Sequence, residues 1–475
     1  MPEQATESYS ATSKRAALAV ATFGAFMGPF DGSVVTLALP SIGGDLGGNV
    51  VSLGWVATAY VLGLTICVIP FGRLADIRGR RRVYALGVAL FTLTSAVCGL
   101  SPSLATLIAT RFFQGVAAAM MAGNSIALLS TVFPVNERGK ALGINTAAVY
   151  IGLALGPSLG GFLVQNLGWR SVFFVNVPIG ILVIPLALLK IQDEKIDRSA
   201  ERMDPVGIIT YGLALCMILL GLTFSENQSS SLPTILMVAG FAMLALFLLI
   251  ETRVASPVLD IRLFRNTPFA FSTLTALLNY SSVFGVSFIM SLYLQLIPGF
   301  GPEQAGLILL AQPVMMAAFS PLSGWLSDRI EPRIIASIGM AIVSASIFAL
   351  SLLGAYSEWW NIALRLMALG TGHAFFSSPN TNATMSSVEK SRYGVAAAIL
   401  STMRFTGQAI SLAVATSVLS ANVGRVVVLG NSGPGVPVDG FMTGMRIALT
   451  MLSLICAAGV FTSLVRGRVR SASKV

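Results

Sequence analysis

The stretch GRLADIRGRRR, Gly72 to Arg82, and the stretch GWLSDRIEPR, Gly324 to Arg333, are two copies of one short cationic loop, 252 residues apart. Gly72 aligns with Gly324, and Asp76 with Asp328. Each copy follows one long apolar run and precedes another. A second pair repeats at nearly the same offset: Arg111 stands 27 residues before Arg138, and Arg365 stands 27 residues before Arg392. Apolar runs that recur with a basic turn at the same point in each half predict a membrane transporter made of two related bundles.

The bulk numbers agree. Hydrophobic residues make up 55% of the 475 and charged residues 11%, with a mean hydropathy of +0.81. A soluble domain carries about 25% charged residues. Fourteen spans are predicted, at 16–40, 54–72, 83–101, 104–132, 140–164, 170–190, 206–223, 233–251, 268–297, 302–325, 334–354, 359–378, 393–421 and 440–465. Most reach the ~20 apolar residues that cross a bilayer core. Helix is expected for them, because backbone groups in lipid must be satisfied internally and nothing alternates like barrel strands.

The net charge of +10 invites a nucleic-acid reading, and its placement rejects one. With the N-terminus inside, 24 of the 30 Lys and Arg fall in cytoplasmic segments; Arg170 and Arg425 fall outside, and four lie within spans. That asymmetry predicts a multi-pass protein of the cell (inner) membrane with both termini cytoplasmic. Trp55, Trp169, Trp359 and Trp360 fall at the predicted outer ends, where indole rings favour the interface. The four cysteines lie in spans without metal-ligand or redox spacing. No zinc-protease motif, phosphate-binding loop or paired carboxylates suggest an enzyme, and no metal or cofactor is expected.

The repeat divides the chain into a unit at 16–190, two inserted linker helices at 206–251 and a second unit at 268–466. Within the first unit, Gly152, Gly156 and Gly160 recur every four residues in GLALGPSLGG. They make a stripe on which a neighbouring helix can approach closely, beside Pro157 and Gly161.

Asp31 is the acid deep within a span. It lies about 13 Å in from the outer end near Pro40, and Arg111 about 10 Å in from the outer end near Leu104. The matching depths allow an ion pair, and an isolated charge at that depth would cost several kcal/mol. Burial raises a carboxyl pKa and a neighbouring Arg lowers it, so such an Asp can take up and release a proton. Arg111 stays charged and can tune Asp31 or hold a helix contact. Pro29 and Gly32 are expected to weaken the helix around Asp31. The position 252 residues after Asp31 is the apolar Val283, so the second half lacks the corresponding acid. Asn124, Tyr150, Asn279, Tyr280, Gln312, His373 and Arg404 are candidates for lining a cavity, although helix-to-helix hydrogen bonding explains most of them equally well.

Three features carry a resemblance. The spacing GxLxDxxGRR from Gly72 resembles the signature loop of the major facilitator superfamily. GLALGPSLGG resembles that superfamily's antiporter motif, found in exporters. Asp31 followed by ALP, RxxQG at Arg111, Gln114 and Gly115, and WRxxFxxNxPxG from Trp169 to Gly180 are together similar to the fourteen-helix drug:proton antiporter branch, the EmrB/QacA type. The resemblance covers nearly the whole chain. It implies an all-α membrane protein with the major facilitator fold: two six-helix bundles plus two inserted helices, 14 transmembrane helices in all. It also implies a conformational latch at Gly72, Asp76, Gly79, Arg80 and Asp328, and proton coupling at Asp31 and Arg111. The second loop departs from the pattern, with Glu331-Pro332 where Gly-Arg would stand.

The expected function is proton-coupled efflux of drugs or toxic compounds by alternating access. The partners would be protons, the lipid bilayer and a small lipophilic substrate, with a monocation favoured because it could compete for a lone deep carboxylate; a periplasmic adaptor protein occurs in this family. Export of an endogenous metabolite, lipid or siderophore is the alternative. Uptake is disfavoured by Gly152 to Gly161.

Overall fold

A computed structural model describes residues 10–133, 135–191, 204–223, 231–254, 261–327, 329–389, 393–423 and 437–467. All regular structure among them is helical. The first group comprises α1 (Ala11–Leu46), α2 (Val50–Arg78), α3 (Arg80–Gly99), α4 (Leu104–Val132), α5 (Val135–Leu167) and the pair α6 (Ser171–Phe174) and α7 (Asn176–Lys190). Then come α8 (Pro205–Thr223) and α9 (Leu232–Glu251). A 3-10 turn at Ile261–Arg265 leads to α10 (Thr267–Leu296), the pair α11 (Pro302–Leu309) and α12 (Ala311–Ser327), α13 (Pro332–Ser351), α14 (Trp359–Ser386), α15 (Tyr393–Val423) and α16 (Val438–Val465).

Counting α6 with α7 and α11 with α12, these helices trace fourteen passes, and twelve are long and apolar enough by composition to cross a membrane. The other two, α14 and α15, are 28 and 31 residues long. They carry Arg365, His373, Asn380 and Arg404, whose polarity lowers their hydropathy. His373 and Asn380 are buried inside the protein.

Pro29 and Gly32 do not interrupt α1, which runs unbroken for 36 residues. The Gly32 carbonyl accepts from Thr36 Oγ1 at 2.8 Å instead. Pro157 is likewise carried inside a continuous α5. The first loop is tight: Gly79, at φ 98°, separates α2 from α3 without an intervening residue, a conformation that only glycine adopts readily.

Helices α1 to α7 pack mainly on one another, and so do α10 to α16. The two groups meet along the face that carries Asp45 and Trp169, the outer face of the sequence reading. There Ser291 Oγ donates to the Thr36 carbonyl at 2.9 Å, and Gln295 Nε2 to the Leu37 carbonyl at 3.0 Å. The Glu303 backbone N–H donates to Gln165 Oε1 at 3.2 Å.

The hairpin α8–α9 sits over the seam. A methyl on Gly212 of α8 would lie 3.0 Å from Ile66 on α2. Tyr211 and Thr406 on α15 are hydroxyl partners at 3.4 Å, and Ser417 Oγ donates to the Leu222 carbonyl at 2.8 Å. The other face of α9 presents Val238, Phe241 and Leu249 outward, as a lipid-facing helix does.

Candidate functional site

Asp31 and Arg111 meet as their depths in the sequence predict. Arg111 Nη1 donates to Asp31 Oδ2 at 2.5 Å, and both side chains are fully enclosed. The carboxylate is saturated by further donors. Gln114 Nε2 reaches Asp31 Oδ1 at 3.1 Å, and Asn176 Nδ2 reaches the same oxygen at 3.0 Å. The guanidinium is equally well held: Nε donates to the Val56 carbonyl at 3.1 Å, and Nη1 to Gln114 Oε1 at 2.6 Å. It also lies 4.3 Å from the Tyr60 ring centroid, within cation–π range. Gln114 is fixed in turn by Ser95 Oγ at 2.8 Å.

Helices α1, α2, α3, α4 and α7 therefore converge on one acid. Gln114 and Asn176 belong to the RxxQG and WRxxFxxNxPxG stretches, yet sequence reasoning gave them no role. Their signal was present as two amides within motifs already singled out; their convergence on Asp31 needed the packing of three helices.

The glycine stripe lies directly against Asp31's helix. A methyl on Gly152 would come within 2.7 Å of the Phe26 carbonyl, and one on Gly156 within 2.5 Å of Ser33 Cβ. Gly160 meets Val34. The neighbouring face of α5 turns to the other bundle. A methyl on Gly161 would lie 2.5 Å from the Pro302 carbonyl, and the Pro157 carbonyl would lie 2.0 Å from one on Gly306. One helix thus touches both the acid-bearing α1 and the opposite bundle at the closed face.

The residues expected to form a latch are placed in part. Arg81 Nη1 donates to the Ile191 carbonyl at 2.5 Å and Arg80 Nη1 approaches the Ala127 carbonyl at 3.5 Å, so the loop is held by its own bundle. Gly72 faces open space. Asp328 lies outside the described residues, as does the side chain of Asp76. Arg466, not singled out in the sequence, ties the end of α16 inward: Nη1 donates to Asn380 Oδ1 at 3.0 Å. Burial pushes its guanidinium down to about 10, still charged at neutral pH.

The remaining polar candidates separate. Asn124 is buried and donates to the Met120 carbonyl at 2.8 Å and to the Phe71 carbonyl at 3.4 Å, which is a helix-to-helix role. Gln312 is buried at the start of α12, beside the break at Leu310. Asn279 is buried with both amide atoms unpartnered. Tyr280, His373 and Arg404 cluster together: Tyr280 and His373 rings are 5.4 Å apart, and the Arg404 guanidinium is 4.9 Å from the Tyr280 centroid. Tyr150, on α5, lies within electrostatic reach of Arg404. Among the described residues, no cluster of His, Cys, Asp and Glu could hold a metal ion.

Two repeated helical groups meeting at a seam, with buried ionisable groups near mid-span, define a multi-pass membrane transporter rather than an enzyme. The family model described as Major Facilitator Superfamily matches residues 21–412, and the chain belongs to that family. It is 36% identical over 404 residues to multidrug resistance protein Stp of Mycobacterium tuberculosis (strain ATCC 25618 / H37Rv), covering 84% of this chain and 74% of that one. It is 32% identical over 390 residues to riboflavin transporter RibZ of Clostridioides difficile (strain 630), covering 82% and 84%. Its fold matches the crystal structure of a bacterial homologue of the human lysosomal transporter Spinster, captured inward-facing and unoccupied. The TM-score is 0.70 at 16% identity, over 97% of this chain and 98% of that one.

Proposed function

We propose that the protein exports small molecules across the cell (inner) membrane by alternating access, driven by protons exchanged at Asp31, as in the fourteen-helix antiporter branch. The observation that carries the reading is Asp31 itself, a fully enclosed acid at mid-span whose charge is balanced by Arg111 and whose oxygens accept from Gln114 and Asn176. Protonation would remove the charge that Arg111 and the two amides converge on. Because α1 packs on the glycine stripe of α5, and α5 packs across the seam on α11, rearrangement of that network has a physical route to the contacts that close the outer face. With both termini cytoplasmic, the closed face is the outer one, and the cleft loads from inside.

The export direction is supported by the GLALGPSLGG stretch and by the multidrug resistance name that Stp carries. Transport of a metabolite is favoured by the likeness to a riboflavin transporter. The drug and the metabolite readings share one machinery and differ only in cargo. An adaptor protein is part of the proposal only by family likeness.

The test is transport in inside-out vesicles with an imposed pH gradient. Wild type should accumulate substrate when the lumen is acidic, and Asp31→Asn should not. Full gradient-driven accumulation by Asp31→Asn would remove the coupling role from this residue, and accumulation only in right-side-out vesicles would reverse the direction.

A further inference from the structure

Asp31 is closed off inside its own bundle, so it offers no free carboxylate to a cationic cargo. Of the other acids near the bundles, Asp45, Asp76, Glu137, Glu303, Glu331, Glu358, Glu389 and Asp439 stand at or near helix ends or in loops. Arg404 stands apart from all of them. It lies eleven residues into the 31-residue α15, and no carboxylate of the described residues is paired with it. The Tyr280 ring lies 4.9 Å from it, His373 on α14 packs edge-on against that ring, and Tyr150 on α5 is within electrostatic reach.

The place of this cation in the repeat is informative. Tyr150 and Arg404 are 254 residues apart, the same spacing that separates Arg111 from Arg365 and Arg138 from Arg392. They are the same position of the two repeats, on the paired helices α5 and α15. Tyr150 lies within electrostatic reach of Arg404, and transporters of this architecture hold substrate at the repeat interface, near the bilayer midplane. Arg404 and Tyr150 both keep partial accessibility there, as side chains lining a cleft do. Beside them His373, 4% accessible, leaves its Nδ1 without a hydrogen-bond partner.

We propose that this cleft takes an organic anion, whose carboxylate, phosphate or sulfonate is received by Arg404 and whose aromatic body rests against Tyr280, Tyr150 and His373. The inference rests on the transport reading and adds the charge of the cargo. A guanidinium presents a planar fork of donors that matches such oxyanions. At this depth a charge is tolerated only with a counter-charge or water, and no acid of the described residues pairs with Arg404, so a bound anion completes the site. A lipophilic monocation would meet like charge with no carboxylate to offset it. The proposed anion has the opposite charge to the cationic cargo expected from Asp31 as a lone acid, and the dyes below decide between them.

Three dyes test this: anionic 5-carboxyfluorescein, cationic ethidium and a neutral coumarin. Their binding to the purified full-length protein is read by fluorescence polarisation, and their uptake by inside-out vesicles is read in parallel. The anion should bind and accumulate in preference. Arg404→Gln should weaken its binding about 10- to 100-fold, the effect of losing one charge-assisted contact. Arg404→Lys should retain part of the affinity and so confirm that a folded site is being read. Preference for ethidium, undiminished anion binding by Arg404→Gln, or no anion binding at all would overturn the inference while leaving export intact. Anion binding by the purified protein together with uptake only in right-side-out vesicles would overturn export and leave this inference standing.

Discussion

The two bundles handle the same arginine position in opposite ways. In the first, Arg111 faces a carboxylate, and Gln114, Asn176 and the Val56 carbonyl complete a closed network. In the second, Arg365 meets Asn361 Oδ1 at 3.0 Å and the Ala349 carbonyl, all of them neutral acceptors. Val283, buried, stands where the acid would be. The asymmetry recurs at the equivalent positions Tyr150 and Arg404, a phenol in the first repeat and a guanidinium in the second. The first bundle keeps its buried charges paired internally, where a proton can alter the balance. The second leaves Arg404 partly accessible, with no carboxylate of the described residues paired with it. The proposed division of labour between coupling and cargo rests on this divergence of the halves.

The sharpest way to break this comparison is to neutralise one bundle's network. Asp31→Asn leaves Arg111 buried without its counter-charge and should cost about 3–5 kcal/mol of stability, read as thermal unfolding in detergent. Asp31→Asn combined with Arg111→Gln should recover most of that loss without restoring gradient-driven transport. Recovery of both would make the pair purely structural.

A smaller effect is expected at the closed face. Gly161→Leu crowds Pro302 and should cost about 1–3 kcal/mol in the closed state, opening the outer side. Labelling of Ser41→Cys by a membrane-impermeant maleimide should then rise about 5- to 100-fold. Unchanged labelling would remove α5 from the closure.

Arg365→Met orphans no carboxylate, so its stability loss should be only about 1 kcal/mol by the same unfolding measurement. A loss as large as that of Asp31→Asn would erase the contrast between the halves. Smallest of all, Tyr211→Phe removes one hydroxyl contact to Thr406 but keeps the ring against Phe247 at 5.3 Å. A loss of about 0.5–1 kcal/mol is expected, and a larger one would make the inserted hairpin a structural clamp on the seam.

Much of the fold was legible along the chain. The passes follow from apolar length, and even α14 and α15 were readable despite their polar residues, because the cationic loops and the repeated arginines set the phase of the second half against the first. The Asp31–Arg111 pair was legible too, since depth in a span is a one-dimensional quantity. Gln114 and Asn176 were not, because hydrogen-bond convergence depends on how α1, α4 and α7 rotate about their axes. For Asn124 two readings stayed open in the sequence, cavity lining and helix-to-helix hydrogen bonding, for the same reason. An amide at cavity depth looks alike in sequence whether it faces the cleft or, as here, the Phe71 carbonyl of the next helix.

The sequence by itself determined that this protein is a membrane transporter of two repeats with one deep acid and one antiporter-like glycine stripe. Hydropathy, charge placement and spacing are linear properties, and they suffice for that. Only the tertiary structure decided that the acid is sealed within its bundle by Arg111, Gln114 and Asn176, while Arg404 lies beside the Tyr280 ring with no carboxylate of the described residues paired with it. Whether a buried charge finds its partner inside its own bundle or outside it depends on helix rotation and packing distance, which no spacing along the chain encodes.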